Sequence, residues 1–468
     1  MNPNGIVFGA DSRLDIKGAF VATTGHSFLF DQNQVFTTID PHSPPLLLVK
    51  TPLGIQMGSN SGDIINRSVA PRINPPFPLT DQEGIKGRAV SLIGSNIHNS
   101  GAITAEKISL AAVKNGIVNI SPDLKLNSDR AISFGDITID KGQIDASGAG
   151  AGTIGLRADK ISLNDSQITA YTLGAIDGGA INLKANNIDI NRSIVSASTF
   201  STGRSGDIAI QADQSLNVTG AGLAKFNNVL DRLFFQGLEF VDPNLPKLEQ
   251  PQDFGTGILA LSFSPGNTGN LRVETPKLVM TKGAFLSTLT FVAGNAGNLQ
   301  VIAPEITLDA AQLNAESQGN GNSGNILVQT QNLRASNGSV VAASTFGRGR
   351  GGNVTIGGIK DSEPATNLTF DGNLLDTPLF SGIFTNTFVS GNAGAIDVFA
   401  RDISLTRGAS IASVGPVIPF LVQIVEGTGA ILRSGQSIAS RSMGRGEKLA
   451  PGQQIPVMRA KLQLLPGN

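Results

Sequence analysis

The side chains that could do chemistry in this chain are scattered. Polysaccharide hydrolysis needs two carboxyl groups held about 5–9 Å apart. Asp159, Asp189, Asp213 and Asp309 instead fall near strand ends, mostly singly. The nearest pairs along the chain, Asp136/Asp140 and Asp361/Glu363, lie in turn-like contexts that read as solvated carboxylates. His26, His42 and His98 have neither metal-ligand spacing nor a nucleophile motif beside them. No cysteine is present, which excludes thiol catalysis, thiolate-held metals and a disulfide scaffold. Two stretches, 150–155 and 347–352, satisfy a dinucleotide-binding glycine pattern, but both lead into strands rather than helices. Calcium-binding nonapeptide repeats are missing as well. These residues predict a protein without catalytic residues, metal or cofactor.

The elements that position these side chains repeat. Gly269-Asn270-Leu271-Arg272-Val273 returns at Gly297, Gly324 and Gly352, and Gly152, Gly179 and Gly206 keep the same step of 27 or 28 residues. A fixed period in this range marks a stacked repeat architecture. Each repeat divides into three short alternating segments, for example Ile154/Leu156/Ala158, Ile161/Leu163 and Ile168/Ala170. Period-two alternation buries one face of each strand and exposes the other. Three such strands in about 27 residues predict one rung of a parallel β-helix, an all-β fold whose rungs stack about 4.8 Å apart.

Two columns travel with the glycine. Asn270, Asn298, Asn325 and Asn353 sit at turns, where stacked amides can bond rung to rung, so they are expected to be structural. Six residues before the anchor glycine stand Phe200, Phe263, Phe291, Phe346 and Phe388, with Gln318 breaking the series. Facing outward, Phe263, Phe291, Phe346 and Phe388 would form an apolar stripe suited to glycans or self-association. At a bend they would fill a corner of the core. The corner is favoured, because long exposed apolar stripes are uncommon.

The shaft is expected over residues 131–440, with insertions at 220–253 and 358–381. The first insertion carries Leu223, Phe226, Val229, Leu230, Leu233 and Phe234 at the spacing of one helical face. The dispersed basic residues beyond 440 predict a loosely ordered tail over 441–468. Low charge (15%) and a net charge of −1 give no reason to expect nucleic acid as a partner. No segment is apolar and long enough for a transmembrane helix.

Residues 1–130 do not keep the step. They begin Asn2-Pro3-Asn4-Gly5-Ile6, followed by Arg13-Leu14-Asp15-Ile16-Lys17-Gly18-Ala19-Phe20-Val21-Ala22-Thr23-Thr24. Here the chain resembles the secretion domain of filamentous-haemagglutinin-like exoproteins exported by two-partner secretion, cyanobacterial members in particular. The run 44–48 (PPLLL) and the repeat Gly294-Asn295-Ala296-Gly297-Asn298 are similar to those surface proteins too. The resemblance implies a right-handed parallel β-helix, threaded out by an outer-membrane barrel transporter to the outer surface of a Gram-negative-type bacterium. It also implies that Asn2, Pro3, Asn4, Gly5 and Ile6 support recognition or folding of the secretion domain.

The family's signal peptide, early cap and Asn-x-x-Leu motif do not precede this motif, so an N-terminally truncated product is expected. The leading expectation is an adhesin-like, non-enzymatic surface β-helix. A carbohydrate-active β-helix enzyme and a truncated, non-secreted remnant are the alternatives.

Overall fold

The computed structural model describes residues 1–38, 52–69, 84–121, 126–223, 256–373 and 380–413, with the backbone of Ala430–Leu432 and Ala460–Leu462. Three parallel sheets wind round one axis as a β-helix. In the first sheet Ile154 lies beside Ile181, then Ile208, Leu271, Leu299, Ile326, Val354 and Ile396 in unbroken register. The second sheet runs from Ile137 through Ile161, Ile188, Leu216, Leu278, Ile306, Leu333 and Leu368 to Ile403. The third runs from Ile144 through Ile168, Val195, Ile258, Leu286, Leu313, Val341 and Ile383 to Ile411. Like side chains therefore stack on like, and the inward columns merge into one continuous apolar core. Each fully buried Ile or Leu in such a core contributes about 1.5–3 kcal/mol.

The anchor glycines follow from how closely the turns approach. A Cβ on Gly269, Gly297, Gly324 or Gly352 would land on the carbonyl oxygen of the glycine one rung earlier. Between the second and third sheets a second turn column holds a residue other than glycine at positive φ in seven rungs: Lys141, Asp165, Arg192, Lys282, Ala310, Asn337 and Arg407 (φ 45° to 56°). That conformation is uncommon for side chains other than glycine, yet here it recurs along the stack.

Residues 1–121 join the same helix despite their irregular sequence step. Ile6–Phe8 lies parallel to Ile64–Asn66, which pairs with Ile97–Asn99, which pairs with Asp136–Asp140. The long strand Ala102–Ile120 pairs in parallel with Ile85–Gly94, Gln143–Asp145 and Thr153–Arg157. Its far end then turns antiparallel against Gly54–Met57 and Leu126–Phe134. With Ser27–Leu29 and Val35–Thr37, these strands form a side sheet over its own core of Ile55, Met57, Ile93, Val113 and Val118.

Three expectations need correction or placement. The excursion expected over 358–381 contains a regular strand of the second sheet, Ala365–Asp371, because its alternating Leu368 and Phe370 reach the core. Of the tail expected over 441–468, the structure describes the backbone of Ala460–Leu462, which pairs antiparallel with Ile396–Val398; Ala430–Leu432, in the expected shaft, pairs antiparallel with Ala400–Thr406. The helical spacing expected in 220–253 lies almost wholly outside the described residues, as do His42 and the run 44–48.

Alternation also fails in one place. Thr256–Ser262, Ala284–Thr290 and Gln312–Ser317 of the third sheet are buried on both faces. Their outward side chains include Leu259, Leu261, Phe285 and Leu289, but also Gln312, Asn314 and Glu316.

Candidate functional site

The Asn-Pro-Asn-Gly-Ile segment makes the first turn of the first rung. The Asn4 N–H donates to Asn2 Oδ1 (3.1 Å), and the Gly5 N–H donates to the Asn2 carbonyl (3.2 Å). Gly5 takes φ +121°, which a side chain rarely adopts. This turn sits against a second one: the Gly62 N–H donates to the Pro3 carbonyl (2.7 Å), and the Ile6 N–H donates to the Asp63 carbonyl (3.0 Å). A Cβ on Gly62 would stand 2.5 Å from Asn4 C, so only glycine lets the two turns meet. Pro3 is half-buried and Asn2 and Asn4 are exposed. The motif thus starts a strand and leaves two polar side chains exposed.

The side sheet carries two shallow grooves. One, of 360 Å³, is lined by Asn119, Ile120 and Leu126; the other, of 330 Å³, by Phe30, Val35, Leu53 and Arg130. Val35 and Leu53 are exposed.

Along the shaft the asparagine column is a hydrogen-bonded ladder, with a geometry the sequence left open. The side-chain amides do not bond one another. Each Oδ1 accepts the backbone N–H of the next rung: Asn270 from Asn298, Asn298 from Asn325, and Asn325 from Asn353, each at 2.9 Å. The ladder starts at Asp207, which accepts from the Asn270 N–H (2.7 Å), and ends at the Ala395 N–H (2.8 Å). A second ladder three residues earlier, Asn267, Asn295 and Asn322, works the same way. Its signal was present in the sequence as the same 27- or 28-residue step.

The phenylalanine column occupies the bend after the third sheet. Phe200, Phe263 and Phe291 stack face to face at 5.0 Å with ring planes 9–10° apart, and Tyr171 closes one end edge-on. Phe346 and Phe388 form a second stack at 4.5 Å. Gln318 stands in the column between the two, and neither its Nε2 nor its Oε1, both buried, has a hydrogen-bond partner. None of these rings belongs to the main core. Phe263 and Phe291 are half-buried, Phe346 is 2% exposed and Phe388 38%. Stacking occupies the ring faces, and only a free face can hold a sugar.

Several of the carboxylates considered for hydrolysis have separate partners. Asp189 meets Lys160 Nζ (2.8 Å) and Asn217 Nδ2 (2.8 Å), and the Asp189 bond raises the Lys160 pKa above its ordinary value. Asp309 accepts from Asn337, Asp361 from Gln329, and Glu363 from Lys360. Arg192 holds Asp165 below the usual carboxylate range through a paired contact on the positive-φ turn. Burial pushes Glu316, on the doubly buried face, up to about 8. Among the described residues no group of three or more His, Asp or Glu could hold a metal ion. No helix there is long and apolar enough to cross a membrane, which says nothing of strands.

Comparison with curated proteins and with solved structures finds no match. The family model described as the TPS secretion domain matches residues 1–149, the stretch in which the Asn-Pro-Asn-Gly-Ile turn, the side sheet and the first rungs have just been traced. By that match residues 1–149 carry a TPS secretion domain, as two-partner-secretion exoproteins such as filamentous haemagglutinin do, and the β-helix grows on from it.

Proposed function

We propose that the chain is an adhesin-like, non-enzymatic shaft, displayed at the outer cell surface after export through an outer-membrane barrel transporter. The observation that carries this reading is continuity. Ala102–Ile120 belongs to the matched domain, yet it is the template on which Gln143–Asp145 and Thr153–Arg157 of the shaft are laid. A secretion domain that emerges first can therefore seed the stack, each rung using the previous one as its edge. Stacked repeats gain stability from such nearest-neighbour contacts, so folding can propagate outward. The non-enzymatic part of the reading is supported by Asp189, Asp309, Asp361 and Glu363, each of which has its own partner.

Gly62→Val tests the export step in the full-length chain produced with its outer-membrane transporter. The added side chain displaces the Asn-Pro-Asn-Gly-Ile turn, and the amount of chain reached by protease outside intact cells should fall sharply. Equal export without the transporter would sink the reading.

A further inference from the structure

Two asparagine rows run side by side along one turn of the shaft: Asn267, Asn295 and Asn322, and Asn270, Asn298, Asn325 and Asn353. All seven are exposed. Their Oδ1 atoms are each engaged by a backbone N–H of the next rung, which fixes the amides in one orientation. Their Nδ2 groups donate to no other described residue. Between the rows lie Gly269, Gly297, Gly324 and Gly352, each preceded by a small residue (Thr268, Ala296, Ser323 and Gly351), so the floor is low. The result is a straight strip of oriented N–H donors repeating about every 4.8 Å. From Asn267 to Asn325 the turn residues on it carry no charge.

The ladder itself does not call for an amide. On the same turn, Ser205 Oγ accepts the Gly269 N–H (2.7 Å) and Thr268 Oγ1 accepts the Gly297 N–H (2.6 Å). Asp207 does the same task at the head of one ladder, and Asp177 accepts the Arg204 N–H at 2.8 Å in the column of the other, before its asparagines begin. Repulsion between stacked carboxylates explains why the inner positions are neutral. It does not explain why they are amides rather than hydroxyls. The surplus that asparagine brings is the free Nδ2 group.

We infer that this double strip binds an extended, uncharged polysaccharide, its Nδ2 groups donating to hydroxyl and glycosidic oxygens of successive sugars. The assignment rests on the reading of a surface-displayed shaft and names what that shaft would hold. A linear polymer suits it because both partners repeat along one axis. An extended peptide suits it less, since its N–H groups would meet Oδ1 atoms already engaged. The paired phenylalanine rings, with most of their faces covered, are a poorer sugar platform than this strip.

The test uses the purified full chain and a soluble unbranched β-glucan in affinity electrophoresis, with thermal melting in parallel. Two double variants are compared: Asn270→Asp with Asn325→Asp, and Asn270→Thr with Asn325→Thr. Both keep an acceptor for the next rung, as Asp207 and Thr268 do, and both lose the amide donor. The glucan should retard the native chain, and both variants should bind about tenfold or more weakly while melting with it. A native chain that is not retarded, variants that bind equally well, or retardation by an anionic polyuronate alone would each overturn the assignment. Purified protein bypasses export, so failure here is distinct from failure of the secretion reading.

Discussion

From Gly269 to Gly297 to Gly324, each shaft rung meets its neighbour with the same devices: a glycine under a glycine, an asparagine oxygen on a backbone N–H, and aliphatic columns in register. In residues 1–121 the rungs stack just as continuously, and Asp63 and Asn96 each accept a backbone N–H from the next rung, of Asn96 (3.1 Å) and Asp136 (2.9 Å), but the other contacts change from rung to rung. Asn66 and Asn99 bond each other inside the structure (Nδ2 to Oδ1, 2.7 Å) rather than at an exposed turn. Gly62 meets Asn4, and the side sheet adds a second core. A repeated contact makes rungs interchangeable and the shaft extensible. Bespoke contacts define one surface that a single partner can recognise. The two ends of the molecule thus differ in what a substitution should spread to.

The largest expected effect is Gly297→Val. Its Cβ would collide with the Gly269 carbonyl, a backbone atom that cannot move without shifting the neighbouring rung. A loss of more than about 4 kcal/mol is expected in urea unfolding, in the class of severe core disruptions. Hydrogen exchange should show the opening confined to the shaft rungs on either side, since stability in stacked repeats is largely a nearest-neighbour sum. Loss of protection across the side-sheet core of Ile55, Met57 and Val118 as well would break the comparison and make the molecule one cooperative unit.

Glu316 gives the next effect. Its carboxyl is lifted to about 8 by burial, from an ordinary value of 4.5. The folded state then holds its proton more tightly than the unfolded chain does. Shaft stability is therefore full below about pH 4.5 and declines as pH rises through 8, by a few kcal/mol in all. Glu316→Gln should flatten that decline in urea titrations between pH 5 and 8. An unchanged slope in the variant would assign the pH dependence elsewhere.

Much of this shaft was legible because a β-helix writes its geometry into a period. The glycine step located the rungs, and the inward columns from Ile154 to Ile396 were readable as alternation. Less legible was whatever the period does not constrain. Lys141, Asp165, Arg192 and Ala310 share a positive φ but no side-chain type, so nothing in their identities marks the turn. The rungs within 1–121 use the same register but variable connections, which hides them from a search at fixed step. Alternation predicted that the third sheet would expose one face. Leu259, Leu261, Phe285 and Leu289 carried the contrary signal, while Gln312, Asn314 and Glu316 argued against it. For the candidate site, spacing found both the asparagine and phenylalanine columns. It could not show which asparagine atoms bond, nor that most of the phenyl faces are covered.

The smallest effect sharpens what a repeated contact is worth. Gln318 stands where the column calls for an aromatic ring, and its buried amide lacks hydrogen-bond partners on both atoms. Burying an amide without partners costs about 1–3 kcal/mol, whereas an added aromatic pair contributes about 0.5–1.5 kcal/mol. Gln318→Phe would join the Phe200–Phe263–Phe291 stack to the Phe346–Phe388 stack, replacing the first cost with the second gain. The backbone already continues through the position: the Gln318 N–H donates to the Thr290 carbonyl (2.8 Å) and the Phe346 N–H to the Ser317 carbonyl (2.8 Å). Thermal unfolding should show a gain of about 1–2 kcal/mol, smaller than the summed terms because a ring is bulkier than the amide it replaces. A loss would mean that the rungs around Gln318 have diverged enough to reject the column's own residue. The shaft would then be bespoke there too, and the contrast with residues 1–121 would narrow to the glycine and asparagine turns.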